Sequence, residues 1–345
     1  MRLWIRSGSR SKPAPHTGKQ AVLSLAYVLR RLAQAVPTVL AIVVLNFLLL
    51  QLAPGDAADV LAGEAGSATP EYMAQLRKSF GLDQQMWLQL LLYMKQLVTF
   101  DLGFSFRHGM PVSELIFSRL GPTLLLMGTV LALAVVVGVL LGSLAARHLN
   151  RWQDNLISTL TVLAYATPVF WAGLMLIVLF SVKLGWFPTS GMQKVAAFHE
   201  GFAKVKDIAH HLVLPAVTLT LFYLALYARL MRASVLEQAS MDYVVTARAK
   251  GLTERQVIRR HVLRNAMLPI VTMAGVQVGA IFGGAVVVET VFAWPGLGLL
   301  AYESLFARDL NLLLGIFFVS TCLVVVVNLV VDLCYSMLDP RIELR

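Results

Sequence analysis

The side chains with the greatest chemical capacity are concentrated in one polar segment, Arg229–Pro269, between two long apolar runs. Guanidinium and ammonium groups at this density can bind the anionic headgroups of a membrane surface or the carboxylates of a partner protein. The segment therefore predicts either two interfacial helices or a docking element. Its charged side chains are eight basic groups (Arg229, Arg232, Arg248, Lys250, Arg255, Arg259, Arg260 and Arg264) and three acidic groups (Glu237, Asp242 and Glu254).

A single glycine is expected to divide this polar segment into two helices. Gly251 can adopt the positive φ that ends one helix and turns the chain into the next. Thr253 and Gln256 have the spacing of a capping box, so a second helix should begin at Thr253. Small side chains at Ala247 and Ala249 would let a partner approach the first helix closely.

The second helix of the segment should be two-faced. Ile258 and Val262 are four residues apart and should share an apolar face, while Arg255 and Arg259 share a cationic one. A partner or a lipid surface would then meet the arginine face.

The rest of the chain offers little catalytic chemistry. It contains neither G-x-x-x-x-G-K-[ST] nor H-E-x-x-H, so it predicts no P-loop for ATP and no zincin site. The adjacent pair His210 and His211 could hold a metal, but neighbouring helical residues point apart, which favours interface histidines. Cys322 and Cys334 lie twelve positions apart in one apolar run, too far to bond each other. We expect no catalytic residue and no metal site.

Composition places the chain in the membrane. Apolar residues make up 58% of the sequence, charged residues 14%, and the mean hydropathy is +0.72, which excludes an ordinary soluble protein. The formal net charge of +10 has to be divided among loops, so it does not indicate a nucleic-acid partner. The expected fold class is all-α: a polytopic membrane protein surrounded by a lipid bilayer.

Six apolar segments are long enough to be transmembrane helices. The excess of Lys and Arg in the second and fourth loops places these loops, and both termini, on the cytoplasmic side. The first run is longer than a signal-peptide core and reads as an uncleaved anchor. The six segments are Val36–Leu52 (with an earlier start near Tyr27), Thr123–Ala146, Leu156–Val182, Leu212–Ala228, Met267–Val288 and Leu312–Val331.

The chain divides into three regions. Residues 1–26 form a basic tail that is expected to be disordered and cytoplasmic. Residues 27–121 contain the first transmembrane helix and a large extracytoplasmic loop, in which residues 70–100 have the apolar spacing of surface helices. Residues 122–345 form the core, including the polar loop.

Ionisable side chains are absent from the centres of all six segments. Ion-coupled carriers need such groups at membrane depth, so a stand-alone secondary carrier or channel is the weaker alternative, and a membrane enzyme lacks a catalytic constellation. In the fifth segment Gly275, Gly279 and Gly283 recur on one helix face next to Gln277, which favours close helix packing over a pore lining. Pro168 and Pro215 should kink helices or mark their starts.

Several stretches together resemble the permease subunits of ATP-binding-cassette importers of the dipeptide, oligopeptide and nickel group. The resemblance covers nearly everything after Tyr27. It rests on DYVVTARAKGLTERQVIRRHVLRNAMLP in the polar loop, on LAPGDAA, FGLDQQMWLQ and DLGFSF in the first outside loop, and on ETVFAWPGLG and the terminal DPRI. The general E-A-A-x-x-x-G pattern of such permeases is matched here only at Ala247 and Gly251, with Val245 and Thr246 at the other two positions.

The resemblance implies a bacterial inner-membrane subunit that forms half of a translocation path. Its implied partners are a second homologous permease, two cytoplasmic ATPases that carry ATP and Mg²⁺, and an extracytoplasmic solute-binding protein; this chain itself would bind no cofactor. Residues 229–268, hereafter the docking loop, would couple the ATPases to the path, so that Gly251→Pro or a bulky charge at Ala247 would uncouple hydrolysis from uptake. The docking residues implied are Asp242, Tyr243, Thr246, Ala247, Arg248, Ala249, Lys250, Gly251, Leu252, Arg255 and Arg259.

Overall fold

The computed structural model describes residues 25–52, 69–79, 81, 83–105, 107–194 and 200–338. The remaining residues include most of the predicted N-terminal tail, residues 53–58 of the LAPGDAA stretch and the terminal DPRI, so the expectations for them lie outside the described part. The described part is mostly helical, as predicted, with one two-residue hairpin in which β1 (Phe104–Ser105) pairs antiparallel with β2 (Met110–Pro111).

In the described residues, three helices precede the core. Helix α1 spans Leu25–Gln51, which agrees with the early start expected for the first apolar segment. The surface helices expected in the first outside loop are α2 (Pro70–Ser79) and α3 (Met86–Val98). On α3, Trp87 and Leu91 are exposed whereas Leu97 is buried, so one face of this helix packs on the protein.

The remaining helices build the core. They are α4 (Val112–Arg147), α5 (Trp152–Ala166), α6 (Val169–Leu176) with a π-helical continuation (Ile177–Lys183), α7 (Gly201–Ala239), α8 (Asp242–Ala249), α9 (Glu254–Val257) with a second π-helical stretch (Ile258–Val262), α10 (Leu263–Val291), α11 (Leu297–Phe306) and α12 (Leu310–Leu338).

Four helical stretches in the described residues are long and apolar enough to cross a membrane: Val112–Arg147, Gly201–Ala239, Glu254–Gly279 and Leu310–Val330. A fifth candidate is the bent pair Trp152–Ala166 and Val169–Lys183. In α1 the apolar run found is the shorter Val36–Leu49. The described residues thus contain four or five candidate spans, in keeping with a helical membrane protein.

The predicted span Leu156–Val182 is not one straight helix. Its two halves meet at Thr167–Pro168 with a bend of 104°. Pro168 has no N–H to continue the helix, and it disfavours helical backbone at the residue before it, where Thr167 is extended (φ −79°, ψ 126°). Pro215, by contrast, is accommodated inside α7.

Helix α7 is the centre of the packed core. It is longer than the predicted Leu212–Ala228. Its 39 residues extend over about 58 Å, roughly twice the thickness of a bilayer core. Arg229 and Arg232, expected in a loop, therefore lie on this helix. Most of the apolar stretch of α7 is buried inside the protein, where it packs against α4, α5 and α10.

The contact between α4 and α7 is close because of two glycines four residues apart. A Cβ on Gly138 would lie 2.6 Å from Cβ of Tyr227, and one on Gly142 would lie 2.8 Å from Cβ of Met231 and clash with the Ala228 carbonyl. Only residues without a side chain allow the backbones to approach so closely.

Candidate functional site: the docking loop between α7 and α10

The turn between the two short helices of the docking loop is built on Gly251. Its φ is +81°, as the sequence predicts. The N–H of Gly251 donates to the carbonyl of Arg248 (2.9 Å), and the N–H of Leu252 reaches back to the carbonyl of Ala247 (3.4 Å). This pair of bonds is the Schellman arrangement that closes a helix C-terminus, so α8 ends where the sequence indicates.

The predicted capping box is present at the start of α9. The Thr253 side chain accepts from the backbone of Gln256, whose Oε1 in turn accepts the Thr253 N–H at 3.0 Å. Two backbone donors that a helix start would leave free are thereby satisfied. The turn between α8 and α9 is consequently a folded structure with fixed ends.

The inner face of the loop packs on the main hydrophobic core. Val244, Val257 and Val262 are buried there together with Ala247. Of the expected apolar pair, Val262 is buried and Ile258 is half-buried. The chain is π-helical at Ile258–Val262, and Val257, five residues before Val262, is buried as well.

Ala247 does not lie on a surface open to a partner. Only 5% of it is exposed, because the face of α8 that carries Val244 and Ala247 is the face that packs on the core. The expectation that both alanines allow a partner to approach is thus corrected for Ala247, while Ala249 is exposed. A bulky charge at Ala247 would disturb the packing of the loop itself.

The outer face of the loop is cationic. Most of the predicted docking residues lie on it and are exposed: Asp242, Thr246, Arg248, Ala249, Lys250, Gly251, Arg255 and Arg259. Val245, which was not among the predicted docking residues, is 58% exposed beside them. Tyr243 and Leu252 are half-buried, and the Tyr243 hydroxyl donates to Gln238 at 2.7 Å.

One ion pair spans the glycine turn. The Arg248 guanidinium donates to both carboxylate oxygens of Glu254 at 2.8 and 3.1 Å. This pair connects α8 to α9 and leaves Lys250, Arg255 and Arg259 as cations on the same exposed side. Such a face can bind carboxylates of a partner protein, whereas the described residues contain no cluster of three His, Cys, Asp or Glu that could hold a metal.

The glycine stripe of the fifth predicted segment lies elsewhere, on α10. Gly275 is buried and Gln277 half-buried. A Cβ on Gly279 would lie 3.4 Å from Val324, an ordinary contact, and one on Gly283 would meet nothing within 4 Å. The expectation that Gly283 packs closely against another helix of this chain is therefore wrong. The tight approach uses Gly138 and Gly142, whose G-x-x-x-G spacing was present in the sequence.

The adjacent histidines face different partners. His210 Nε2 lies 2.8 Å from the carbonyl of Trp186, while the buried His211 places Nδ1 2.8 Å from the carbonyl of Asp207. Their rings are nearly perpendicular, at 87°. This is the divergence expected of neighbouring residues on a helix.

The chain has marked similarity to known transport proteins. Residues 138–344 match the family described as the binding-protein-dependent transport system inner membrane component, and residues 24–127 match the N-terminal family of the same components. A putative peptide permease protein of Brucella ovis is 42% identical over 320 residues, which cover 92% of this chain and 99% of that protein.

Two further relatives cover nearly the whole chain. The oligopeptide transport system permease protein AppB of Bacillus subtilis is 39% identical (92% of this chain, 99% of that protein). The glutathione transport system permease protein GsiC of Salmonella paratyphi A is 40% identical (93% and 100%).

A solved structure shares the fold. A chain of the MetNI methionine ABC transporter has a TM-score of 0.53 at 18% identity, covering 66% of this chain and 97% of that chain. This chain therefore belongs to the family of inner-membrane components of binding-protein-dependent transport systems and is a permease subunit of an ABC importer.

Proposed function

We propose that this permease forms one half of a translocation path in a bacterial inner membrane. A second homologous permease forms the other half, an extracytoplasmic binding protein delivers the solute, and two cytoplasmic ATPases supply the work. In this proposal the chain spans the membrane six times with both termini in the cytoplasm, residues 122–345 form the permease core, and the chain has no catalytic residue or bound cofactor.

One observation carries the coupling role. The docking loop has a buried inner face, formed by Val244, Ala247, Val257 and Val262, and an exposed cationic outer face. An element fixed to the core on one side and open on the other transmits a force applied to its outer face to the helices behind it. Here those helices are α7, which ends three residues before α8 begins, and α10, which continues from the π-helical stretch.

The experiment on docking uses two valines of similar exposure. Val245 (58% exposed) lies at the centre of the outer face of α8, and Val205 (61% exposed) lies near the opposite end of α7. A carboxylate at position 245 would repel an acidic partner surface and disrupt packing at the centre of an interface. We expect Val245→Glu to reduce the amount of ATPase that co-purifies with the tagged permease, and its solute uptake, about tenfold, the effect of losing one well-packed contact.

Val205→Glu adds the same charge away from the loop and should retain the ATPase. Equal recovery of ATPase with both variants would contradict docking at α8.

For the substrate we propose di- or oligopeptides, including glutathione-like peptides. The support comes from the relatives, which are named as peptide, oligopeptide and glutathione permeases and are about 40% identical along their whole length. Uptake of labelled dipeptides, longer peptides and glutathione by cells with and without this gene tests it. If deletion of the gene reduces the uptake of none of these compounds, a peptide substrate is contradicted.

A further inference from the structure

A bidentate ion pair joins α7 to α5, the first half of the broken span. Arg232 on α7 donates from Nε to Asp154 Oδ1 at 2.7 Å and from Nη2 to Oδ2 at 2.8 Å. The two residues are 78 positions apart in the sequence. Two parallel charge-assisted hydrogen bonds fix the angle between the planes of the two groups as well as their distance.

Asp154 is held from its own side as well. It lies in the first turn of α5 and is 2% exposed. Its Oδ2 accepts the N–H of Asn150 at 3.0 Å, and its Oδ1 accepts the Ser158 hydroxyl at 3.4 Å. The carboxylate is thus fixed to the start of α5, and a displacement of Arg232 is transferred to the helix and not absorbed by rotation of a free side chain.

Arg232 is held from the other side by α4. A Cβ on Gly142 would lie 3.1 Å from the backbone nitrogen of Arg232. The backbone of α7 therefore contacts α4 at the same level at which its side chain binds α5. Three helices meet at this one arginine.

A second contact between α5 and α7 lies at the far end of α5. The ring of Tyr165 stacks on Phe222 of α7 at a centroid distance of 4.9 Å, and the Arg229 guanidinium lies 4.8 Å above the same tyrosine ring. Tyr165 is two residues before the break at Thr167–Pro168. Helix α5 is therefore attached to α7 at both ends, by the ion pair on the side of the docking loop and by the aromatic stack next to the 104° bend.

The ion pair is close to α8, the first short helix of the docking loop. Arg232 precedes the end of α7 at Ala239 by seven residues, about 10 Å along the helix axis, and α8 begins at Asp242. A rotation of α8 relative to the membrane would reach Arg232 through two turns of uninterrupted helix.

We propose that Asp154 and Arg232 are a positioning pair for transport: they make α5, and with it the bend at Thr167–Pro168, follow the movement of the docking loop. The pair contacts neither solute nor nucleotide. It makes the broken span move together with α7. This inference rests on the proposed docking of an ATPase at the loop.

The test compares uptake with ATP hydrolysis in the complete importer reconstituted in proteoliposomes with its binding protein. Asp154→Asn keeps the shape of the side chain but removes its charge, and Arg232→Lys keeps the charge but removes the bidentate geometry. Arg147→Gln, which removes a charge from an exposed arginine at the end of α4, is the matched control.

We expect Asp154→Asn to retain the ATPase subunits and ATP hydrolysis, while the amount of solute moved per ATP falls about tenfold. Arg232→Lys should give an intermediate ratio, Arg147→Gln the wild-type ratio, and the exchange Asp154→Arg with Arg232→Asp should recover part of the loss if it assembles. Should Asp154→Asn fail to assemble, the ratio in Arg232→Lys decides the question.

An unchanged ratio in the assembled variants would overturn the proposal. So would a proportional loss of assembly, hydrolysis and uptake, because that is the result of a purely structural role. If no ATPase co-purifies with the unsubstituted chain, the proposed docking function is contradicted, and the positioning role that rests on it is contradicted as well.

Discussion

The Thr123 hydroxyl donates to Glu289 Oε1 at 2.7 Å across 166 residues of sequence, and both side chains are buried. The same hydroxyl accepts the N–H of Leu297 at 2.7 Å. The other carboxylate oxygen of Glu289 accepts the N–H groups of Gly298 (2.6 Å) and Leu299 (3.1 Å). A carboxylate from the end of α10 thus binds the N-terminus of α11, where free backbone donors and the helix dipole favour negative charge.

This arrangement gives a structural reason for the E-T-V-F-A-W-P-G-L-G stretch. A Cβ on Gly296 would clash with the Glu289 carboxylate, and one on Gly298 would lie 2.6 Å from Cα of Val286. The buried Trp294 donates its indole N–H to the Pro122 carbonyl at 3.0 Å. The stretch therefore joins α4, α10 and α11, a role for Glu289 that the motif by itself did not indicate.

We expect Thr123→Val to lower the free energy of unfolding by about 1–3 kcal/mol, because it leaves the Leu297 N–H and a carboxylate oxygen without a partner. Thr129→Val is the matched control on the same helix, since the hydroxyl of the half-buried Thr129 donates to the Leu125 carbonyl one turn earlier. Thermal unfolding of the detergent-purified chain, followed by tryptophan fluorescence, measures both. Equal melting temperatures of the two variants would show that the Glu289 contacts do not stabilise the fold.

Gly142→Ala should destabilise the chain by about 1–3 kcal/mol, the usual cost of overpacking a tight core. The added methyl group would meet the Ala228 carbonyl and Met231 across the contact between α4 and α7. Gly128→Ala, also on α4, is the control, because nothing lies within 4 Å of its Cβ position. Thermal unfolding separates the two: the control should melt like the wild type or above it, as alanine favours helix. A Gly142→Ala variant as stable as Gly128→Ala would contradict the close approach.

Removing the capping hydroxyl should loosen the start of α9. Thr253→Ala costs about 1 kcal/mol at a helix N-cap, so the amides of Glu254–Val257 should exchange with deuterium about fivefold faster. Thr272→Ala, which deletes an exposed hydroxyl inside α10 that donates to the Leu268 carbonyl, should leave these amides unchanged. Identical exchange in the two variants would mean that the capping box does not hold the turn.

The backbone at Gly251 allows a comparison of three substitutions. Alanine at φ +81° costs about 1–2 kcal/mol, although nothing occupies the space around its Cβ. Asparagine adopts this conformation more readily, and proline, with φ near −65°, cannot adopt it. We expect co-purified ATPase and uptake to fall in the order Gly, Asn, Ala, Pro, with Pro nearly inactive. Wild-type uptake by an assembled Gly251→Pro variant would contradict a role for the turn.

The sequence by itself determined the membrane class and the local form of the docking loop. Gly251 and the Thr253–Gln256 capping box were predictable because each depends on residues within a few positions of one another. The break at Pro168 was indicated for the same reason: the missing N–H and the constraint on the preceding residue are covalent properties of proline. The size of the bend, 104°, was not.

Only the tertiary structure decided which side chains meet. Segments such as α4 and α10 are apolar on every side, so their periodicity does not say which face packs inward. The glycine spacing in the fifth segment therefore pointed to Gly279 and Gly283, whereas the close contact uses Gly138 and Gly142. The π-helical stretch, in which Val257 is buried together with Val262, was not predictable from an α-helical period. The pairs Asp154–Arg232 and Thr123–Glu289 join residues 78 and 166 positions apart, and such contacts depend on how whole helices rotate and pack against each other.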